Sequence, residues 1–487
     1  MKLKNKEIPE VSIIILNYNA GELLINCVES ILKSNFKNFE IVVVDNDSKD
    51  KSHLLCKEKF EEIKLIKNSK NVGFCEGNNI GVRNANGEFI IIINPDTTVT
   101  PNWINEFLNA QKENGDGIYQ PKIISLEDKK TILSTGNMIH LFGFGFARDK
   151  GNIETKNTKN VEKITYSSGT CIFTTKKIFQ KIGMFDSFLF LYHDDLDLSW
   201  RASMQKINSF YVPTITVFHK ESYNFQWSSK KFFWLERNRK YCILTHYSKE
   251  TQKKIAYQLF LADILVWVSY FFKGFLWVKI KAELEIRKNK RQIEERYLEL
   301  EKIKIISDEE MIQNFSDEIW IPADVANNFF SKVFNLILKK LSIRESLSAR
   351  LLLFTIFFVL VAEILIYVPS IANFRDNWIE QKLAKANIAI LVVEAAPDYM
   401  VSRLLANELL TSTENYSIVR KFDEMNQQVL SAVKPFEVST RFDMRDVPWL
   451  ISVRDAFETL FNMNRSNYLI EVKGNASAND GSEMIIV

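Results

Sequence analysis

The sequence predicts an α/β protein whose first domain is built on a mainly parallel central sheet. Two nearly uninterrupted apolar runs, Val11–Leu16 and Glu40–Val44, have the length of strands and are rich in β-branched residues. Between them, Glu22–Lys33 carries its apolar residues at helical spacing. Strands that lack polar alternation are buried on both faces, and helices between them supply the cover. The length of 487 residues leaves room for about three domains.

Further elements follow from the same patterns. Ile63–Ile66 and Phe89–Ile93 are two more apolar runs of strand length. Thr175–Ile182 has helical spacing and is followed by Gly183, which suits a helix C-cap. Residues 134–151 combine glycines with aromatic side chains, and we expect a mobile loop there.

Composition excludes several classes of protein. Lys plus Arg number 63 against 60 Asp plus Glu, so the concentrated basic surface of a nucleic-acid-binding protein is not expected. The five cysteines are scattered without a CxxC pair, which argues against a structural zinc site or a disulfide scaffold. Residues 1–9 are charged and lack the apolar core of a signal peptide. The first half of the chain is therefore expected to stay in the cytoplasm.

Two acidic turns follow predicted strands, at Asp45 and at Asp96. Ligands of open α/β sheets bind beyond the carboxyl ends of the strands. A carboxylate there can accept hydrogen bonds from a base or ribose, or bind a divalent cation through oxygen. The alternative is that each Asp only caps the following turn or helix.

Asp194, Asp195 and Asp197 form the densest acidic cluster of the chain. Adjacent carboxylates repel, which raises the pKa of at least one of them and suits a general base. The alternative is an acidic helix N-terminus stabilised by the helix dipole. We favour that alternative for Asp197, with Arg201 one turn further as its partner, and a functional role for Asp195. His219 follows a strand-like run, so it is either structural or a ligand of a cation or diphosphate.

These residues, taken in order, resemble a family 2 glycosyltransferase over about residues 8–320. The resemblance is closest to the rhamnosyltransferase branch, and it implies the GT-A fold, a nucleotide-sugar donor, Mg²⁺ or Mn²⁺, and inversion at the anomeric carbon. The segments that carry it are Val11–Asn19, Val44–Ser48, Asn71–Asn79, Asn94–Asp96, Gly183–Asp186, His193–Arg201, His219 and Arg237–Arg239.

The resemblance also implies roles for individual residues. Asp96 and His219 would hold the metal; the first Asp of the family's acidic metal motif is replaced by Pro95, so a single carboxylate is left. Asp195 matches the catalytic base, and Asp194, which would support the base or the acceptor, stands where the branch normally has Glu. The residues implied to bind the donor are Tyr18, Asp45, Asn79 and Asn94.

Two apolar segments point to a membrane. Residues 255–280 are rich in aromatic side chains but contain Asp263 and Lys273, which favours a helix lying in the membrane surface over a span. A buried bundle helix is the alternative. Residues 351–371 are long enough to cross a bilayer, and the basic residues before them place their N-terminal side in the cytoplasm.

Residue usage changes near Ser346. Before it there are 41 Lys and 9 Arg, and from it onward 5 Lys and 8 Arg. The later part resembles the N-terminal part of bacterial sensor histidine kinases, without a phosphoacceptor helix or an ATP-binding motif. The predicted organisation is a GT-A domain at 1–250, a membrane-proximal helical region at 251–345, a transmembrane helix at 346–372 and a small extracytoplasmic sensor-like module at 373–487.

The sequence thus predicts a membrane-associated, inverting, metal-dependent glycosyltransferase on the cytoplasmic side of the cell membrane. It would move a sugar such as rhamnose to a glycan or lipid-linked acceptor in surface polysaccharide or glycoprotein assembly. The alternative is a membrane signalling protein with a sensor tail and a domain that only binds a nucleotide-sugar. The paired Asp194 and Asp195 favour the enzyme, because binding alone needs no general base.

Overall fold

The structure is a computed structural model with two compact units, Met1–Arg344 and Glu345–Val487, each described below by itself. The residues that it describes are 8–153, 159–220, 228–272, 274–316, 347–397, 401–421, 427–431, 438, 440–445, 451–453, 455, 469–475 and 482–487.

The first unit is organised around a ten-stranded sheet. Its strand order is β10-β12-β6-β11-β4-β1-β2-β3, with β5 paired to β12 and β7 to β6, while β8 and β9 form a separate hairpin. The strands are β1 (Val11–Asn17), β2 (Phe39–Asp45), β3 (Lys64–Lys67), β4 (Phe89–Ile93), β5 (Thr97–Val99), β6 (Gly117–Ser125), β7 (Ile132–Ser134), β8 (Asn137–Ile139), β9 (Gly145–Ala147), β10 (Glu162–Ile164), β11 (Cys171–Thr175) and β12 (Asn208–His219).

Helices lie between and after these strands. Those of the first unit are α1 (Glu22–Leu32), α2 (Ser52–Lys59), α3 (Gly73–Arg83), α4 (Trp103–Asn114), α5 (Lys176–Ile182), α6 (Asp194–Met204), α7 (Ser229–His246), α8 (Lys249–Lys254), α9 (Ala256–Phe272), α10 (Leu276–Lys288), α11 (Lys290–Ile303) and α12 (Asp308–Ile312). The predicted cap of α5 is confirmed, because Gly183 has φ of 94° and closes the helix through its backbone N–H.

The central strands are apolar on both faces because each face covers a different core. Every residue of β1 is buried. Ile14 packs into one core with helices α3, α5 and α6, whereas Ile13 and Ile15 pack into the other with α1 and α4. The prediction of a mixed α/β fold with a central sheet is confirmed.

The sheet is less parallel than predicted. Strands β3, β2, β1 and β4 are parallel neighbours, as are β6 and β12. Strand β11, however, runs antiparallel to both β4 and β6. A parallel neighbour needs a crossover connection, usually a helix. Strand β11 instead follows the β8–β9 hairpin and the edge strand β10, so it enters the sheet in the opposite direction.

The prediction of a mobile loop at residues 134–151 is wrong. The β8–β9 hairpin occupies most of it, and Phe142 at its turn is fully buried. The aromatic residues that suggested an exposed loop point inward, where Tyr247 donates a hydrogen bond to the Leu141 carbonyl at 2.8 Å.

Residues 255–280 form α9 and the start of α10, two helices instead of one. Asp263 on α9 lies 2.8 Å from Lys279 of α10 and 3.1 Å from Lys240 of α7. Its charge is therefore neutralised by lysines of the protein. The sequence had suggested that this charge needs a membrane surface, but the ion pairs account for it without one. Lys273 lies outside the described residues.

The second unit combines a long helix with a five-stranded sheet of order β14-β13-β17-β16-β15. Helix α13 packs Ile379, Leu383 and Ile390 into a core with that sheet. The elements are α13 (Leu347–Glu394), α14 (Arg403–Thr413), β13 (Ser417–Lys421), β14 (Gln427–Ser431), β15 (Thr440–Asp443), β16 (Ile470–Asn475) and β17 (Glu483–Ile486).

Across the ranges described, we find no helix long and apolar enough to cross a membrane. The span predicted at 346–372 begins outside the described residues, and the side chains at 347–361 are not among those described. That span and the kinase-like resemblance of this unit stay predictions.

Candidate active site

The ends of β1 and β2 bring the first predicted site residues together. Asn17 and Asp45 are paired neighbours at the last position of these strands. Asn17 Nδ2 donates to Asp45 Oδ1 at 2.9 Å, and His53 Nδ1 lies 3.1 Å from the same oxygen. The backbone N–H of Ser48 donates to Asp45 Oδ2 at 3.2 Å, so the carboxylate also caps its turn. Tyr18 follows Asn17 directly and is 53% exposed.

Asp96 and His219 meet at the same edge of the sheet. Strand β5 pairs with the end of β12, which sets Thr97 opposite His219. His219 Nε2 lies 3.3 Å from Asp96 Oδ1, and both side chains keep some exposure to solvent. That oxygen is buried, and the His219 imidazole lies beside it. An imidazole nitrogen that faces a carboxylate oxygen can donate to it or, when its lone pair lies on Nε2, bind a divalent cation together with it, since both are common ligands of Mn²⁺ and the carboxylate suits Mg²⁺.

Asp195 reaches this edge through residues 169–170. The Asn94 N–H at the end of β4 donates to the Thr170 carbonyl at 3.0 Å. The Gly169 N–H donates to Asp195 Oδ2 at 2.9 Å. These two hydrogen bonds connect the chain after β4, where Asp96 lies, to the first turn of α6.

The pair Asp194 and Asp195 is held in unlike surroundings. Burial and the neighbouring Asp195 raise the pKa of Asp194 well above its usual range. Burial also raises the pKa of Asp195, but the N–H groups of Gly169 and Leu196 favour its ionised form. Asp194 is the more buried of the two, so we assign the proton to Asp194 and the charge to Asp195. This agrees with the expectation that repulsion perturbs the pair.

Asp197 has a structural role, as predicted. Its carboxylate lies fully buried against Arg201, with Oδ2 3.0 Å from Nε and 2.5 Å from Nη2. Arg201 also donates to the carbonyls of Ile182 and Met184 at 2.6 and 2.7 Å. The ion pair therefore anchors the turn after α5 to helix α6.

Asn79 is bonded to the chain at both polar ends. It is buried, its Nδ2 donates to the Phe185 carbonyl at 2.8 Å, and its Oδ1 accepts from the Phe185 N–H at 3.1 Å. Asn79 thus fixes the turn around Phe185, and its role in donor binding stays a prediction. Asn94 keeps a partly exposed side chain and stays a candidate.

Two other groups of possible metal ligands occur in the part of the chain that the structure describes. Asp197, Cys242 and His246 form one, and Glu236, Asp263 and Glu283 form the other. Arg201 compensates the first group. Arg239, Lys240 and Lys279 compensate the second. A cation in either place would have to displace charges that are already paired.

A comparison with known families matches part of the first unit. Residues 12–183 match the family model described as glycosyl transferase family 2, a stretch that contains Asp45 and Asp96 and ends before Asp195. These residues form a family 2 glycosyltransferase domain.

Curated relatives of the domain are glycosyltransferases at low identity. The chain is 26% identical over 226 residues to the low-salt glycan biosynthesis hexosyltransferase Agl10 of Haloferax volcanii, covering 45% of this chain and 70% of the relative. It is 25% identical over 175 residues to the glycosyltransferase GlyG of Streptococcus pneumoniae, covering 35% of this chain and 56% of the relative. A crystal structure of GalNAc-T7 with UDP, GalNAc and Mn²⁺ has a TM-score of 0.39 at 17% identity and covers 48% of each chain.

Proposed function

We propose that the chain is an inverting, metal-dependent glycosyltransferase that moves a sugar from a nucleotide-sugar donor to a hydroxyl of a glycan or lipid-linked acceptor. The supporting observation is the placement of the Asp96–His219 pair and of Asp195 at one sheet edge, joined through residues 169–170. Asp195 is partly exposed, lies beside the carboxyl group of Asp194 and has a raised pKa. A domain that only binds a nucleotide-sugar would have no use for such a carboxylate.

Each residue has a defined part in this reaction. Tyr18 and Asp45 would hold the nucleoside, because the ring is exposed for stacking and the carboxylate is fixed at its strand end. Asp96 and His219 would hold Mg²⁺ or Mn²⁺, which offsets the charge of the departing diphosphate. Asp195 lies in the first turn of α6, apart from the proposed metal ligands, and is proposed to contact the acceptor.

Asp195 is the proposed general base. Its carboxylate takes the proton of the acceptor hydroxyl while that oxygen forms a bond to the anomeric carbon. The bond from that carbon to the diphosphate oxygen breaks on the opposite face, and the configuration inverts. A raised pKa strengthens the base, since proton affinity and pKa rise together.

The donor sugar is proposed to be a hexose or a 6-deoxyhexose such as rhamnose. The motif order resembles the rhamnosyltransferase branch, and the archaeal relative bears the name of a hexosyltransferase. The product would enter a surface polysaccharide or a glycoprotein.

We further propose that helices α9 and α10 rest on the cytoplasmic side of the cell membrane. Phe260 and Trp277 are 61% and 64% exposed, and Leu284 is exposed on the same helix as Trp277. Lys254 and Lys281 are exposed nearby in the chain. Exposed aromatic side chains flanked by lysines are typical of a surface that binds anionic lipid.

Alanine at Asp96 or at His219 is expected to abolish the stimulation of nucleoside diphosphate binding by Mn²⁺. Each change removes one of the two ligands, and a single remaining ligand holds a divalent cation poorly. Calorimetric titration of UDP, GDP and dTDP with and without Mn²⁺ measures the effect. Asp116→Ala is the matched control, because Asp116 precedes β6 at the end of that strand far from His219. Stimulation that survives in Asp96→Ala would remove this residue from the metal site.

Serine at both Phe260 and Trp277 is expected to reduce cosedimentation of the chain with vesicles of anionic lipid at least about tenfold, because two exposed apolar anchors are lost. Leu298→Ser is the control, since Leu298 is exposed to a similar extent on α11. Equal sedimentation of wild type and double variant would contradict the membrane proposal and leave the enzymatic one intact.

A further inference from the structure

The segment that leads into the acidic pair has an unusual backbone. Within residues 188–193, here called the pre-helix loop, Phe190, Tyr192 and His193 have φ of 63°, 64° and 60°. Left-handed conformations of residues other than glycine are strained and persist only where the surroundings impose them. Asp194 and Asp195 follow directly, so whatever holds this loop also places the carboxylates.

Asn238 holds the loop by its carbonyls. The side chain is fully buried on α7. Its Nδ2 lies 3.0 Å from the Leu189 carbonyl, 2.9 Å from that of Leu191 and 2.7 Å from that of Tyr192. Arg237 Nε donates to Asn238 Oδ1 at 2.8 Å, which fixes the orientation of the amide. The two N–H groups of one amide thus contact three carbonyls of the loop, and the Leu189 carbonyl also accepts the Leu191 N–H at 2.7 Å.

Stacking holds the loop by its rings. The Arg237 guanidinium lies 4.3 Å from the ring centroid of Phe188 and 4.6 Å from that of Trp234. Trp234 in turn stacks on Phe190, with centroids 5.1 Å apart and planes 19° apart. Phe188 also stacks on Tyr241 at 4.6 Å. Cation–π and aromatic contacts of this kind stabilise the conformation of the loop.

All of these contacts come from one face of α7. Trp234, Arg237, Asn238 and Tyr241 are spaced by three, one and three residues, which is a single helical stripe. The same stripe also contacts the chain just before the pre-helix loop, where the Tyr241 hydroxyl donates to Asp186 Oδ2 at 2.7 Å. Helix α7 therefore contacts the pre-helix loop along most of its length, and α3 adds the Phe74 N–H, which donates to the Phe190 carbonyl at 2.7 Å.

We infer that Asn238, supported by Arg237, is a positioning residue that sets where Asp195 meets the acceptor hydroxyl. The inference rests on the proposed function, because it assigns Asp195 as the base. Donor binding should not depend on it, since Tyr18 follows β1, and Asp45 at the end of β2 and Asp96 after β4 are held by contacts of their own.

Asn238→Leu in the full chain tests the inference, because leucine has a similar volume and no donor. We expect kcat to fall about a hundredfold, the effect of misplacing a catalytic group by about 1 Å. The KM of the donor and the affinity for nucleoside diphosphate should stay within about threefold. Thr245→Val is the control: Thr245 is fully buried on the same helix, but its hydroxyl bonds to the Tyr241 carbonyl within α7. This variant should lose stability and keep kcat.

Arg237→Met gives a second reading if Asn238→Leu does not fold. It keeps the amide of Asn238 and removes the cation from the stack, so kcat should fall about tenfold. Hydrogen exchange at residues 188–193 should accelerate in every variant whose kcat falls. The positioning role is overturned if a folded variant of Asn238 or Arg237 keeps the wild-type kcat. It is also overturned if the loss of kcat is matched by an equal loss of nucleotide affinity. If the wild-type chain turns over no nucleotide-sugar, the proposed function is refuted instead. If, in addition, hydrogen exchange of the pre-helix loop is unchanged in Asn238→Leu, the role of Asn238 in holding this loop is refuted as well.

Discussion

Asp195→Asn is expected to lower turnover by about 10²–10⁴-fold while donor affinity stays within a few-fold. Asparagine keeps the shape of the side chain and can still cap α6, but its amide cannot take the proton of the acceptor hydroxyl. Steady-state kinetics with a soluble acceptor, combined with calorimetric titration of the nucleoside diphosphate, separates the two effects. A purely structural Asp at a helix N-terminus would tolerate the substitution.

The control for this experiment is Asp116→Asn, which makes the same chemical change at an exposed position before β6. Asp197, although nearer, is unsuitable because its carboxylate neutralises a buried arginine. Wild-type turnover in folded Asp195→Asn would exclude Asp195 as the base. An equal fall in Asp116→Asn would show that the loss is not specific to the site.

Asp197→Ala is expected to destabilise the first unit by about 3–5 kcal/mol, the cost of leaving one partner of a buried ion pair uncompensated. Arg201 would remain fully buried with its positive charge, and His246 Nε2 would lose a carboxylate oxygen 3.1 Å away. The free energy of unfolding in urea measures the effect. The double variant Asp197→Leu with Arg201→Met removes both charges and should recover much of the stability. A loss below about 1 kcal/mol in Asp197→Ala would contradict the assigned role.

The same ion pair predicts how stability depends on pH. Burial opposes ionisation of Asp197, yet Arg201 and His246 hold its pKa well below the ordinary value. A carboxyl group whose pKa is lower in the folded state contributes its full stability above its unfolded pKa of about 4 and loses it as the pH falls further. The unfolding free energy of the wild type should therefore fall more steeply below about pH 4 than that of the double variant, which lacks this carboxyl group.

The sequence predicts local elements of this fold well and long-range pairings less well. The apolar runs at β1 and β4 identify buried strands because burial on both faces leaves no other composition. The direction of β11 depends on the hairpin that precedes it, and no residue of β11 itself records that direction. Phe142 likewise gives no local sign that it points into a core.

The candidate site follows the same division. Asp45, Asp96 and Asp195 are visible in the sequence because each ends a strand, follows one or opens a helix. Asn238 is visible only as part of the motif Arg237–Arg239, and His53 lies in no motif. Their contacts with the pre-helix loop and with Asp45 depend on the fold, and no spacing predicts them. The motif position of Asn79 predicts donor binding, whereas its bonds to Phe185 are seen only in the structure.

Release of nucleoside diphosphate from a panel of UDP-, GDP- and dTDP-sugars, measured with the full chain and Mn²⁺ in the presence of mixed glycan acceptors, tests the central claim most directly. We predict turnover of one donor, its loss on chelation of the metal, and a product whose anomeric configuration is opposite to that of the donor. Absence of binding and turnover across the panel, or turnover with retained configuration, would contradict the proposal.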